Sequence, residues 1–234
     1  MQQRAVLLTG FEPYGGRGIN PSAEVARLLN GTVIDATAVV GRTLPVSFRS
    51  LPDRTVALLD EVNPVAVISM GLWPGEPVIR LERVAFNLAA FEIPDNEGVL
   101  VEDVALVPEA APAIPARLPL RAIEAALLQA GIPARLSSSA GTFLCNATLY
   151  TFLMESQRKH PNVPCGFVHL PYLPEQVAEI LDYTRREHVL ELHQRADLSS
   201  MSLDVMVRAV RITLEMAVRS AVRAQAGARG SSAD

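Results

Sequence analysis

The chain has 234 residues, 49% of them hydrophobic, 20% charged and 5% aromatic, with a formal net charge of -4, which suits one large globular domain or two small ones with a substantial core and excludes wholesale disorder. An isoelectric point near 5.6 offers no basic face for nucleic acid, and the few aromatics offer no stacking platform for single strands. No apolar run approaches the roughly 18 residues of a membrane-spanning helix, and AVLL near the start is broken by Thr9-Gly10, so no signal peptide, membrane partner or export is expected, and Cys145 and Cys165 read as reduced thiols in the cytoplasm.

In chain order, Ala5 to Thr9 reads as a buried strand and Pro21 to Leu29 as a helix opened by a proline in its first turn. Thr32 to Val40 reads as a strand, Phe48 to Val62 as a helix with Val56, Leu58, Leu59 and Val62 inward, and Pro64 to Met70 as an apolar strand. In "VIRLERVAFN", alternation places Arg80 and Glu82 on one side of an extended segment and Ile79 and Leu81 on the other. Residues 106–120, "LVPEAAPAIPARLPL", read as a proline-rich surface connection. Arg121 to Gln129 reads as a helix closed by Gly131, where a left-handed cap fits. A strand over Ala134 to Ser139, a helix from Leu144, a strand over Gly166 to His169 and a long helix from about Leu203 to Val222 follow. The charged stretch after Pro174 reads as a solvated helix.

This alternation predicts an α/β fold, a three-layer α/β/α sandwich around a largely parallel, mixed sheet in a single domain over residues 1–223. Residues 224–234, small, polar and without periodicity, read as a disordered tail. Ligands of such sheets bind beyond the carboxyl ends of the strands, here the loops Gly10 to Pro21, Gly71 onward, Ala140 to Cys145 and His169 onward.

Two residues on those loops can do chemistry. Cys145 falls in the first turn of a helix, where unpaired N–H groups and the helix dipole lower a thiol pKa and can hold an oxyanion. Most free cysteines are small buried residues, and position alone favours that reading. His169 closes a buried strand before "LPYLPEQ" and reads either as a general base or as a core histidine. Glu82 can orient an imidazole or pair with a neighbouring arginine. His188 and His193, five apart, do not share a helix face, so no metal site is expected there. The loop "GFEPYGGRGINPS" lacks the endings of phosphate-binding loops, and Phe11 and Tyr14 suit an aromatic wall for a small ring.

Four stretches, "LLTGFEPYGG…INPS", "LERVAFN…IPDNEG", "SAGTFLCN" and "GFVHLPYLPEQ", stand in the order and spacing of one family. Over about residues 5 to 176 the chain resembles pyroglutamyl peptidase I, a cytosolic thiol protease that removes N-terminal 5-oxoproline from peptides. The resemblance implies Cys145 as nucleophile, His169 as general base and then acid, and Glu82 as the carboxylate that orients it. It also implies an α/β/α sandwich, no metal or cofactor, and a homo-oligomer, tetramer or dimer. A flat lactam with no free amine calls for an apolar slot with few polar contacts. Phe11, Tyr14 and Phe143 are expected to form it, with Asn20 tying loops or binding through its amide.

The chain departs from the family's pattern at four places. Leu72 stands where a glutamine is common, Glu92 where "ARIPDN" has arginine, Arg80 where Ser or Thr is usual, and Val46 where Thr is frequent. Leu72 removes a polar contact to a lactam, Glu92 puts an anion near a developing oxyanion, and Arg80, if it points as Glu82 does, competes with His169 for that carboxylate. The expected consequence is a weaker or shifted pyroglutamyl peptidase. Two other readings compete with it: a cysteine amidohydrolase for another small blocked acyl group, and a catalytically silent homologue that binds.

Overall fold

Residues 4–187 and 198–230 are described by the computed structural model; His188 and His193 fall outside them, as do the last residues of the tail. The strands are β1 (Ala5–Phe11), β2 (Val33–Ile34), β3 (Thr37–Leu44), β4 (Ala66–Leu72), β5 (Ile79–Glu82), β6 (Val84–Phe86), β7 (Ala113–Pro115), β8 (Ala134–Ser137) and β9 (Cys165–Leu170). The helices are α1 (Pro21–Leu29), α2 (Leu51–Val62), α3 (Leu120–Gln129), α4 (Leu144–Lys159), α5 (Pro174–Glu187) and α6 (Leu203–Gly230). One seven-stranded sheet has the order β2-β3-β1-β4-β9-β5-β8. Its centre is parallel, β3 to β1 to β4 to β9, while β2 is antiparallel to β3 and β5 is antiparallel to β9 and parallel to β8.

The apolar faces explain the layers. Val25, Ala26 and Leu29 of α1, Ile123 and Leu127 of α3 and Met206 to Val218 of α6 pack with Leu8, Ile68 and Val168 on one side of the sheet. Leu51, Leu58 and Leu59 of α2 and Leu149, Phe152 and Leu153 of α4 pack with Leu7, Val67 and Phe167 on the other. The sheet is thus buried on both faces between helical layers, the sandwich expected from its alternating pattern.

Local chemistry refines several boundaries. The strand expected over Thr32 to Val40 is a hairpin, because Asp35 and Ala36 both take positive φ, 46° and 58°, which a tight turn between twisted strands requires. Asn63 in the left-handed region closes α2, and Gly131, at φ 72°, follows α3 as a cap should. Backbone helix in α6 continues past Val222 to Gly230, with no proline to stop it. The 106–120 stretch is more than a surface connection. Its β7 pairs antiparallel with β6, an edge position that tolerates Pro115. Leu118 is buried in the core and packs over Gly166, where a Cβ would lie 2.5 Å from its side chain.

Candidate active site

The register of the sheet assembles the site on its α2/α4 face. Residues opposite one another on neighbouring strands project to the same side. Gly71 of β4 lies opposite His169 of β9, and His169 lies opposite Arg80 of β5. Glu82, two residues along β5, returns to that side and sits opposite Phe167 and Ser137. Residues 138–144 come back over this face and deliver Cys145 above Gly71. A Cβ at Gly71 would meet the Cys145 Sγ at 2.6 Å and the Phe167 ring at 3.0 Å. Glycine is required there so that the sulfur can pack over β4, in the cavity that His169 also lines.

Both partners of the imidazole are fixed. His169 Nδ1 lies 2.8 Å from Glu82 Oε1, and both side chains are buried. A carboxylate only accepts, so Nδ1 carries the proton and Nε2 is left free as a base. The Trp73 ring packs edge-on against the imidazole, centroids 4.9 Å apart, and the tilted Phe167 ring lies 4.8 Å from it. Cys145 is the second residue of α4. No side chain caps the start of that helix, which leaves first-turn N–H groups for an oxyanion.

The resting charge state differs from the expectation of an activated thiol. The Cys145 backbone amide does pull its pKa down, but burial and the nearby Glu82 charge outweigh it and push the thiol up to about 12. Burial also holds His169 below the ordinary imidazole value, against the pull of Glu82 and with the help of Arg80. Both shifts favour the neutral thiol and the neutral imidazole. Cys165, on buried β9, is also unpaired and raised to about 11 by burial.

A cavity of about 290 Å³ opens over this group, lined by Tyr14, Leu72, Trp73, Ile93, Phe143, Cys145 and His169 among others. A separate void of only about 10 Å³ beside it is lined by Phe11, Asn20, Val46, Leu72 and Phe143 among others. Of the residues expected in a binding slot, Tyr14, Phe143, Leu72 and Glu92 line the main cavity, with Glu92 exposed. Phe11 is buried in the core behind it. Asn20 ties loops: its Nδ2 donates to the Glu12 carbonyl, and its Oδ1 accepts from the N–H and hydroxyl of Ser22 at the start of α1. Neighbouring rings hold Phe143 in place, Phe91 at 4.6 Å and Tyr14 at 5.9 Å.

Motif residues outside the cavity brace its loops. Glu12 Oε1 accepts from the Val46 N–H and from Asn96. Asp95 accepts from the N–H groups of Phe48, Glu97 and Val99, so the "IPDNEG" turn brackets the wall to which its first residue, Ile93, contributes. Thr142 and Ala90 exchange hydrogen bonds that hold the 90–93 segment against the loop before α4. Sequence reasoning missed Trp73, Ile93, Glu76 and Ser137. Trp73 alone left a signal, as the chain's one tryptophan, directly after a strand-ending Gly-Leu.

Comparisons with known proteins agree with this fold. A family profile for pyroglutamyl peptidase matches residues 4–220. The pyrrolidone-carboxylate peptidase of Enterobacter sp. (strain 638) is 40% identical over 216 residues, 92% of this chain and 94% of the relative. Its counterpart from Pyrococcus furiosus is 39% identical over 213 residues, 91% of this chain and 97% of the relative. A crystal structure of the pyrrolidone carboxyl peptidase from that hyperthermophile superposes with a TM-score of 0.85 at 38% identity, covering 93% of this chain and 99% of the other.

Proposed function

The chain belongs to the pyroglutamyl peptidase family, and on that premise we propose that it hydrolyses the amide bond after an N-terminal pyroglutamyl residue, with Cys145 as nucleophile, His169 as general base and then acid, and Glu82 as the carboxylate that orients the imidazole. The observation that carries the assignment is the 2.8 Å contact between His169 Nδ1 and Glu82 Oε1 beneath a cavity that Cys145 also lines. His169 Nε2 takes the thiol proton as Sγ bonds to the substrate carbonyl carbon, and the oxyanion meets the first-turn amides of α4. The imidazolium then gives its proton to the departing amine as the C–N bond breaks, leaving a pyroglutamyl thioester. Water, deprotonated by His169, cleaves that thioester, releases pyroglutamate and restores the thiol.

The lining selects the acyl group. Tyr14, Leu72, Ile93 and Phe143 suit a flat uncharged lactam, whereas a prolyl or glutamyl terminus brings an ammonium whose desolvation such a wall does not compensate. A pyroglutamyl amide of a fluorescent amine is expected to release its amine with kcat/KM at least about 100-fold above the prolyl and glutamyl amides, since a buried unpaired charge costs several kcal/mol. Equal rates for the three substrates would sink the assignment of the acyl group.

A cytoplasmic location and a homo-oligomer, tetramer or dimer, belong to the same proposal. Two unpaired cysteines suit a reducing compartment. Leu28 on α1, Leu128 on α3 and Val222 on α6 are exposed apolar side chains of one helical layer. No described helix is long and apolar enough to cross a membrane.

A further inference from the structure

Arg80 is almost buried, and its guanidinium touches two supports of the imidazole, Glu82 and Trp73. Nε–H donates to Glu82 Oε1 at 3.2 Å, the same oxygen that faces His169. One terminal nitrogen donates to Glu76 Oε2 at 3.2 Å. The other donates to the Ser137 hydroxyl at 2.7 Å and to the Ser139 carbonyl at 2.8 Å. The plane of the group lies over the Trp73 ring, 3.7 Å from its centroid, and Trp73 is the ring that packs on His169. Gly141, on the loop before Cys145, approaches the same tryptophan closely. Only a planar, permanently charged fork meets a carboxylate, a hydroxyl, a carbonyl and an aromatic face together.

We propose that Arg80 is a positioning residue of this site: it holds the Glu82 carboxylate, the Trp73 ring and the 137–141 loop around His169, and by sharing Glu82 Oε1 it weakens that carboxylate's hold on an imidazolium. The charged groups that act on the ring are Glu82 and Arg80 from β5 and Glu76 from the turn after β4, and the titratable side chains that share its cavity are Cys145 from the start of α4, Tyr14 and Glu92. Glu82 and Glu76 favour the charged imidazole, and the Arg80 cation opposes them. Removing Arg80 takes away the opposing charge while both carboxylates remain. The proton on His169 then binds more tightly, and the enzyme needs more alkaline solution to free its base. The idea rests on the peptidase reading only for the role of His169 in turnover.

The test follows the His169 imidazole by NMR titration of the full chain, with His169→Gln to assign the signal, beside the pH profile of kcat/KM on a pyroglutamyl amide. In Arg80→Met the imidazole midpoint and the acid limb of the profile are expected to rise together by about one unit, a tenfold loss of kcat/KM below the limb. Arg80→Lys, which keeps the charge without the fork, is expected to hold the midpoint near that of the wild type but to lower kcat, with KM changed less than about twofold. Because Arg80→Met leaves buried Glu76 with only Arg135 and buried Glu82 with only His169 as partners, the pair is also compared as Glu76→Gln against Glu76→Gln with Arg80→Met. An imidazole midpoint that stays in place in both backgrounds overturns the proposal. A midpoint that rises in a protein without pyroglutamyl turnover supports it and removes the peptidase reading instead.

Discussion

Replacing Cys145 by alanine is expected to lower hydrolysis of a pyroglutamyl amide by a factor on the order of 10⁴ or more, since loss of the nucleophile removes the covalent route and leaves only binding and oxyanion contacts. The variant should fold. Sγ rests over Gly71 beside the Phe167 ring, and losing one sulfur atom there costs about 1 kcal/mol. Cys165 supplies the internal control. It lies fully buried on β9, on the strand that carries His169, yet it does not line the cavity. Cys165→Ala should lose about 1 to 2 kcal/mol of stability through the small void it leaves, with kcat/KM within about twofold of the wild type. Steady-state kinetics and thermal melts on the two variants separate a chemical role from a packing role. Equal losses of activity in both would assign the effect to packing and remove Cys145 from the mechanism.

Glu82→Gln is the second large effect. The side chain keeps its size, but its amide offers one oxygen and one NH₂ where a carboxylate accepts from both His169 and Arg80. If the NH₂ turns to His169, the imidazole must carry its proton on Nε2 and cannot take one from the thiol. If the oxygen turns to His169, the imidazolium that forms during attack is no longer stabilised by a full charge. Either way the loss falls on kcat, by about 10² to 10⁴, the range known for orienting carboxylates, and KM should move little because Glu82 does not line the cavity. Stability also falls, because Arg80 keeps only Glu76 as a charged partner inside the protein. A rate within threefold of the wild type would show that the carboxylate serves the fold alone.

How much of this was legible in the chain can be judged residue by residue. Cys145 at the start of a helix, His169 at the end of a strand and the shared side of Arg80 and Glu82 follow from periodicity, which is local. The loops expected to converge do so around one cavity, because the apolar runs identify strands whose central members are parallel. The rest depends on which strands become neighbours. Trp73 and Glu76 come from the turn after β4 and Ser137 from the end of β8, and they meet Arg80 only because β5 lies between β9 and β8. The thiol's charge state is likewise tertiary: a helix start lowers a pKa, and only the packed cavity decides that burial outweighs it. Asn20 illustrates the converse. Its type suits a ligand, yet the turn into α1 uses its amide for the backbone. The suspicion that Arg80 competes for Glu82 matches the geometry, and Trp73 and Ser137 show why the arrangement is a brace as well as a competition.

The central claim is that an acyl group passes through Cys145. The direct measurement uses pyroglutamyl p-nitrophenyl ester, whose good leaving group makes formation of the thioester faster than its hydrolysis. Samples quenched in acid during turnover are weighed intact and then mapped as peptides. The account predicts one pyroglutamyl group per chain, located on Cys145, appearing with a burst of nitrophenol of the same amount and absent from Cys145→Ala. Turnover of the ester with no adduct on Cys145, or with the adduct on another residue, would contradict it.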